Sequence, residues 1–255
     1  MKRIHFISLV ILLSSVFTFT SCLDSDNESN YDLRAFMTYD SGFMGSGVLK
    51  PDGSNFIFTP TNPGLLKLFD KDGKPTGEYM KRGYVYVKFI EGEVFPQDDK
   101  NDYKVEIVGA SILLSVKEMS MHKPEIVEDS NPLYQLENSD YRSWVSNGYF
   151  NILFYPTYDK VENLKIEDFD LFIDKVENNT LYLRLNHSIT KVEEPAYSPQ
   201  VFHFMSFKHY LSKSHLLSEY PDLKPDDKNV IKVKILAKGV YGDLESSTFE
   251  MLLTD

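Results

Sequence analysis

The chain has 255 residues with 27 Lys+Arg against 38 Asp+Glu, a formal net charge of −11, one cysteine, one tryptophan, 16 tyrosines and 18 phenylalanines. That balance excludes a binder of phosphate backbones, which needs a dense basic face, so nucleic acid is not an expected partner. A lone cysteine excludes an internal disulfide framework, and the length suits one large or two modest domains, each able to bury a usable core unaided.

At the N-terminus, Met1-Lys2-Arg3 is a short positive segment and Ile4 to Phe19 an apolar run, after which the small residues Thr20 and Ser21 lead into Cys22. This is secretory signal anatomy. The run is shorter than the roughly 20 residues of a spanning helix, so cleavage is expected. The cleavage point resembles a bacterial lipoprotein box, with residues 1–21 as signal peptide and the Cys22 thiol taking a diacylglyceryl group. Phe19 stands where leucine is commoner in that box. Two or three acyl chains, such as palmitate, at about 0.8 kcal/mol per buried methylene make the anchor effectively permanent. Release as a free protein, the other reading, would leave a reactive thiol exposed.

Asp24, Asp26 and Glu28 resemble the acidic export tag by which lipoproteins of Bacteroidota reach the outer face of the outer membrane. The alternative is an ordinary solvated tether on a periplasm-facing anchor. Residues 22–32 read as a flexible acidic tether. Loss of residues 1–21 removes Lys2 and Arg3 and no acid, leaving 25 Lys+Arg against 38 Asp+Glu, a net −13.

From Leu33 onward the chain reads as strands. Leu33 to Tyr39 is the first, and Val48-Leu49-Lys50 and Asn55 to Thr59 form a hairpin about the turn Pro51-Asp52-Gly53-Ser54. Asp70-Lys71-Asp72-Gly73-Lys74 lacks the ligand spacing of an EF-hand and reads as a surface turn. In Tyr84 to Ile90, Val85, Val87 and Phe89 share one face while Tyr84, Tyr86 and Lys88 share the other. Tyr103 to Val116 is a long strand bent at Gly109. Residues 33–117 are therefore expected to form an OB-like β-barrel domain.

Residues 118–147 lose the pattern and read as linker and domain junction, marked by Pro124, Pro132, Glu125, Glu128 and Asp129. Met119, Met121 and His122 could suit a soft metal but are commoner as edge packing. Arg142, Trp144 and Val145 begin the second domain, 148–255. There Tyr149 to Tyr155, Phe169 to Val176 and Thr180 to His187 are strands, the last two joined by an asparagine turn at Asn178-Asn179. Leu181, Leu183 and Leu185 face inward; Tyr182, Arg184 and Asn186 face out. Val201 to Phe207 and Asn229 to Leu236 are further strands, and the segment before Pro221 reads as a short helix. The fold class is all-β: a small OB-like barrel followed by an immunoglobulin-like antiparallel β-sandwich.

The sequence offers no catalytic constellation. His203, His209 and His215 recur at a spacing that shares a face only on an unbroken strand, which the helical segment interrupts. Nucleophile elbow, zincin and phosphate-loop motifs are missing, and Asp98-Asp99 and Asp226-Asp227 sit in polar turns that would not raise a carboxylate pKa. No cofactor and no metal site is expected, and an enzyme is not supported; a hydrolase with an unrecognised site is the third reading.

The lipoprotein box, the Pro51-Asp52-Gly53 hairpin, Gly83-Tyr84-Val85-Tyr86-Val87, Gly148-Tyr149-Phe150-Asn151-Ile152-Leu153-Phe154 and Asn179 to Leu185 together resemble the NigD-like lipoproteins of Bacteroidota. That resemblance implies an N-terminal OB-fold, a C-terminal β-sandwich and no established activity, under a name borrowed from a bacteriocin-associated operon. Two functional readings follow: a non-catalytic binding lipoprotein of the cell outer membrane with a protein or glycan partner, or an immunity-type envelope protein. For the first, Tyr84, Tyr86, Trp144 and Tyr182 are the candidate binding residues, because aromatic side chains are enriched at interfaces. Tyr84 and Tyr86 could equally pack on the neighbouring domain. The sequence does not indicate an oligomeric state.

Overall fold

The structure, a computed structural model, describes residues 30–42, 47–70, 72–120, 123, 131–137, 143–188, 196–198 and 200–254. Cys22, Asp24, Asp26, Glu28, Met121 and His122 lie outside the described residues. Among the described residues no helix is long and apolar enough to cross a membrane.

Period-two alternation builds the first half. Strands β1 (Leu33–Asp40), β2 (Val48–Pro51) and β3 (Ile57–Pro60) are followed by a 3-10 turn, Pro63–Leu66. A two-stranded ribbon, β4 (Lys67–Phe69) with β5 (Pro75–Tyr79), leads into β6 (Arg82–Phe89) and β7 (Asp102–Ser111). The barrel closes in the order β1-β2-β3-β7-β6, with β3 and β7 parallel. Closure leaves no exposed sheet edge.

Met37, Leu49, Phe58, Val85, Val87, Val105 and Ile107 fill the barrel. The opposite face of β6 presents Tyr84 and Tyr86, half-buried, and Lys88, exposed. Gly53 has φ 71, as its turn requires, and the Asp70 carboxylate accepts the N–H groups of Asp72 and Lys74 to hold the β4–β5 turn. The barrel also holds Tyr31 and Asp32, the end of the expected tether: the Asp32 N–H donates to Val87 O, and its carboxylate accepts the Phe89 N–H at 2.8 Å.

The run expected to be one strand from Tyr103 to Val116 is broken. A register shift opposite Tyr86 and Val87 bends β7 near Gly109, β7 ends at Ser111, and Ile112 follows with φ 48. The next strand, β8 (Ser115–Glu118), belongs to the second sheet, where it runs parallel to a strand some ninety residues later.

That second sheet also contains β9 (Leu133–Leu136), β10 (Trp144–Ser146), β11 (Tyr149–Pro156), β12 (Phe169–Glu177) and β13 (Thr180–His187). It is completed by β14 (His203–Lys208), β15 (Val230–Gly239), β16 (Gly242–Glu245) and β17 (Phe249–Leu252). One layer holds β12-β13-β15 with β16 and β17 on β15; the other holds β9-β11-β14-β8 with β10 on β11. The sandwich is therefore one ten-stranded sheet folded over on itself.

The layers join at two seams. At one, Gly239 pairs with Leu133. At the other, Ser120 bridges Phe172, and Lys117 Nζ donates to Glu167 O, Phe169 O and Asp170 Oδ1. Three pairings, β13 with β15, β14 with β8 and the single contact of β15 with β9, are parallel where antiparallel ladders were expected. β9 and β10 come from the stretch that read as linker. Apolar faces of both layers, among them Phe150, Ile152, Phe154, Leu183, Met205, Phe207, Val233 and Ile235, share one core. Helix α1 (Lys213–Glu219) plugs it with Leu216, is capped by the Ser212 hydroxyl accepting from the His215 N–H, and stops before Pro221.

Candidate functional site

Where barrel meets sandwich, the turn after β2 carries Asp52 inward. Its own N–H donates to Phe36 O on β1, and the Gly53 N–H donates to Ser146 Oγ on β10, so the turn is pinned to both halves. Opposite stands Arg82, the first residue of β6, with 0 % of its surface exposed. A guanidinium has five N–H donors in a rigid fork, and burial requires that each find an acceptor.

Here each does. Nη2 donates to Asp52 Oδ2 at 2.5 Å and Asn151 Oδ1 at 2.9 Å, Nη1 to Asp52 Oδ1 at 3.3 Å and to Thr38 Oγ1, and Nε to Ser206 Oγ at 3.1 Å. The cation lies 4.6 Å from the centre of the Tyr149 ring.

Asp52 accepts two more bonds, from Trp144 Nε1 at 2.8 Å and Asn147 Nδ2 at 2.9 Å. Both donors come from the β10–β11 hairpin, whose turn residues Asn147 and Gly148 have φ 52 and 79. The Ser206 hydroxyl in turn donates to Asn151 Oδ1 at 2.7 Å. With its donors occupied and its charge balanced, this cluster has no spare valence for chemistry. It is a joint.

Over this joint runs a band of six half-buried rings. Tyr31 lies 5.1 Å from Tyr86, Tyr86 5.5 Å from Tyr84, and Tyr84 5.0 Å from Phe36. Phe36 reaches Trp144 at 4.8 Å and Phe204 at 5.5 Å, and those two lie 5.4 Å apart. Most contacts are edge-to-face, the favoured aromatic geometry. Burial pushes the Tyr84 hydroxyl pKa up, opposed by the neighbouring Arg34 charge. The Tyr86 hydroxyl pairs with Ser111 Oγ at 3.2 Å.

Of the residues singled out in the sequence, the structure brings Tyr84, Tyr86 and Trp144 into one surface. Tyr182 stands on β13 in the other layer of the sandwich, its ring covered by Lys175 Nζ at 5.1 Å. Phe36, Phe204 and Tyr31 were missed, as were Asp52 and Arg82. The Asn147-Gly148 pair was the available signal, because it marks a hairpin that turns Trp144 back toward Asn151.

His203, His209 and His215 are dispersed. His215 is exposed and lies 3.5 Å from Glu219; His209 packs on Phe150; His203 packs on Phe154 and Phe169. His187, overlooked in the sequence, is 2 % exposed and stacks on Phe169 at 4.3 Å, with no hydrogen-bond partner for either nitrogen. Burial, helped by the neighbouring His203, holds its pKa down at about 4, and burial holds His209 at about 4 as well. Asp226 is occupied in its turn by the N–H groups of Lys228 and Val230.

No protein-family model matches the chain, and no curated protein does. Among solved structures, a protein from Parabacteroides distasonis described as toxin-related has 12% sequence identity and a TM-score of 0.51, with 86% of this chain and 92% of that one covered. One from Bacteroides fragilis described as a lipoprotein has 15% identity and a TM-score of 0.50, with 87% and 99% covered. A NigD-like immunity protein from Bacteroides caccae is also among the structural neighbours, at 15% identity and a TM-score of 0.46, with 89% and 99% covered. At these identities, what the chain has in common with the first two is its fold, over nearly the whole of each partner.

Proposed function

We propose that the chain is an envelope lipoprotein, tethered to the outer membrane through Cys22 and facing the cell surface, that acts by binding a protein or glycan rather than by catalysis. The observation that carries the binding reading is the band from Tyr31 to Phe204, a continuous aromatic surface held rigid across two halves of the molecule. Rigid rings bind with little loss of rotamer entropy. The anchor reading rests on Thr20-Ser21-Cys22 of this chain. That one neighbour of like fold is described as a lipoprotein agrees with it.

The test is a screen of the purified protein against envelope glycans and outer-membrane extract. Binding should weaken about tenfold in Tyr84→Ala or Phe204→Ala and hold in Tyr182→Ala. Unchanged affinity in both band variants would remove the band from the function. Cys22→Ser should release the protein from the membrane; a variant still processed to mature size and retained by membranes after a carbonate wash would disprove the anchor.

A further inference from the structure

We infer that the seam where Gly239 meets Leu133 carries a second binding surface, for a neutral glycan: Tyr241, Tyr134, Tyr197, Tyr155 and Phe202 form a row, with the Gln135 amide beside it, that takes a run of uncharged sugar rings. The inference rests neither on the Cys22 anchor nor on the band at the joint.

Backbone pairing builds the row. Gly239 and Gly242 close the β15–β16 hairpin around Val240 and Tyr241, and the Val240 N–H donates to Leu133 O at 3.1 Å, which fixes the turn against β9. A register shift at Tyr155 and Pro156 leaves Tyr134 and Gln135 together between the core residues Leu133 and Leu136, so both turn away from the core. Tyr158 and Ala196 exchange backbone hydrogen bonds of 3.2 and 2.7 Å, which hold Tyr197 beside the end of β11. Tyr241 then lies 6.4 Å from Tyr134, Tyr134 stacks on Tyr197 at 3.3 Å, and Tyr155 lies 6.4 Å from Tyr197 and 6.3 Å from Phe202. At the two ends, Tyr241 is 89 % exposed and Phe202 52 %, so folding leaves both rings in water.

Charge and hydrogen bonding select the occupant. In a chain with 25% charged residues, the described segments that carry the row, Leu133–Leu136, 155–158, 196–198, 200–203 and 239–242, contain no Asp, Glu, Lys or Arg. The charged residues directly adjoining them are Glu137, Asp159, Lys238 and Asp243, and the one lysine faces Asp243 across the ladder. An acid-weighted border of this kind repels an anionic sugar and leaves a neutral one unopposed.

The hydroxyls of Tyr134, Tyr155, Tyr197 and Tyr241 and the Gln135 amide make no hydrogen bond among the described residues. Burial raises the Tyr197 hydroxyl pKa and the Tyr134 and Tyr155 hydroxyls raise it further, so these three groups lie close together. A sugar ring presents C–H bonds that pack on the negative face of an aromatic ring, and hydroxyls that donate and accept as tyrosine hydroxyls do. A single row of such rings suits a chain of sugar units.

The test titrates the full-length protein, in a sugar-free detergent, with neutral hexasaccharides of glucose, mannose and galactose and with the hexasaccharide of galacturonic acid, the charged counterpart of the last. At least one neutral hexasaccharide should bind, and the acidic one about tenfold more weakly. Tyr241→Ala, at an exposed turn, should weaken binding about tenfold with an unchanged urea midpoint; Tyr241→Phe, which keeps the ring, should weaken it less, and Tyr182→Ala should leave it as it was.

Binding of no neutral hexasaccharide overturns the assignment, as does equal affinity for the acidic one. Binding that survives Tyr241→Ala overturns this surface, and its loss in Tyr84→Ala would then place the sugar on the band. A photocrosslinker at position 241 that captures an envelope protein and no glycan in intact cells would assign the row to a protein partner and likewise overturn the proposal.

Discussion

Replacing Asp52 by asparagine removes the charge that, among the described residues, pairs with Arg82, while changing the volume very little. Arg82 is fully buried and Asp52 is 9 % exposed, so solvent cannot take over the lost role. The new amide also presents an NH2 where Arg82, Trp144 and Asn147 all point donors, so at least one donor loses its acceptor. Breaking one side of a buried ion pair costs about 3–5 kcal/mol. For a protein of this size, that lowers Tm by on the order of 10 °C.

Trp144 is the only tryptophan and donates directly to Asp52, so its emission during urea unfolding reports both on the joint and on global stability. The native-state emission should shift in Asp52→Asn, and the urea midpoint should fall. Asp52→Leu with Arg82→Met, which removes both charges, should cost less than Asp52→Asn alone, because no buried charge is left unpaired. A loss below about 1 kcal/mol with unchanged Trp144 emission would refute the reasoning, since it would place the pair at the level of an exposed salt bridge.

Acid should unfold the protein through its buried histidines. An ordinary histidine titrates near 6.5, whereas His187 and His209 are held at about 4 in the fold, so between pH 6.5 and 4 the unfolded chain binds protons that the native one refuses. Stability is thus complete above pH 6.5 and declines as pH falls to 4, by up to about 3 kcal/mol for His187 and less for the more exposed His209. Urea midpoints at several pH values should show a shallower acid slope in His187→Phe; an unchanged slope would mean another group is responsible. At the seam of the sandwich, a Cβ on Gly239 would lie 2.4 Å from Gly242 O and 2.8 Å from Leu244 Cγ, so Gly239→Ala should cost about 2 kcal/mol in thermal unfolding. A Tm within about 2 °C of the parent would show that the β15–β16 turn beside the seam can relax.

Elements fixed by local pattern were legible in the sequence. Val85 and Val87, and Leu181, Leu183 and Leu185, are buried as their alternation required, and Asn178 and Asn179 take φ 49 and 58 in the hairpin they marked. Elements fixed by distant partners were not. Ser115–Glu118 looks like the end of the preceding strand, because the break lies at Ile112, a β-branched residue that gives no warning of a positive φ. Leu133–Leu136 is short and lies in a stretch coloured by proline and acid, so composition indicates a linker, although Leu133 and Leu136 are both in the core. The parallel ladder of β13 and β15 spans the chain that includes α1, and no local signal carries its register.

The joint was hidden for a related reason. Asp52 between proline and glycine has the composition of a solvated turn, and Arg82 beside Lys81 looks like a surface cation; only their meeting makes either informative. The arrangement also alters the expectation that each half could fold alone. Barrel and sandwich do have separate apolar cores. Yet the Arg82 donors are divided between Thr38 and Asp52 on one side and Asn151 and Ser206 on the other, so separating the halves strips acceptors from a buried cation. The aromatic band crosses the same line, with Phe36 on the barrel against Trp144 and Phe204 on the sandwich. Its shape depends on the joint being closed, which ties the proposed binding surface to the buried Arg82–Asp52 pair of the barrel, whose further hydrogen bonds reach Asn151, Ser206, Trp144 and Asn147 of the sandwich.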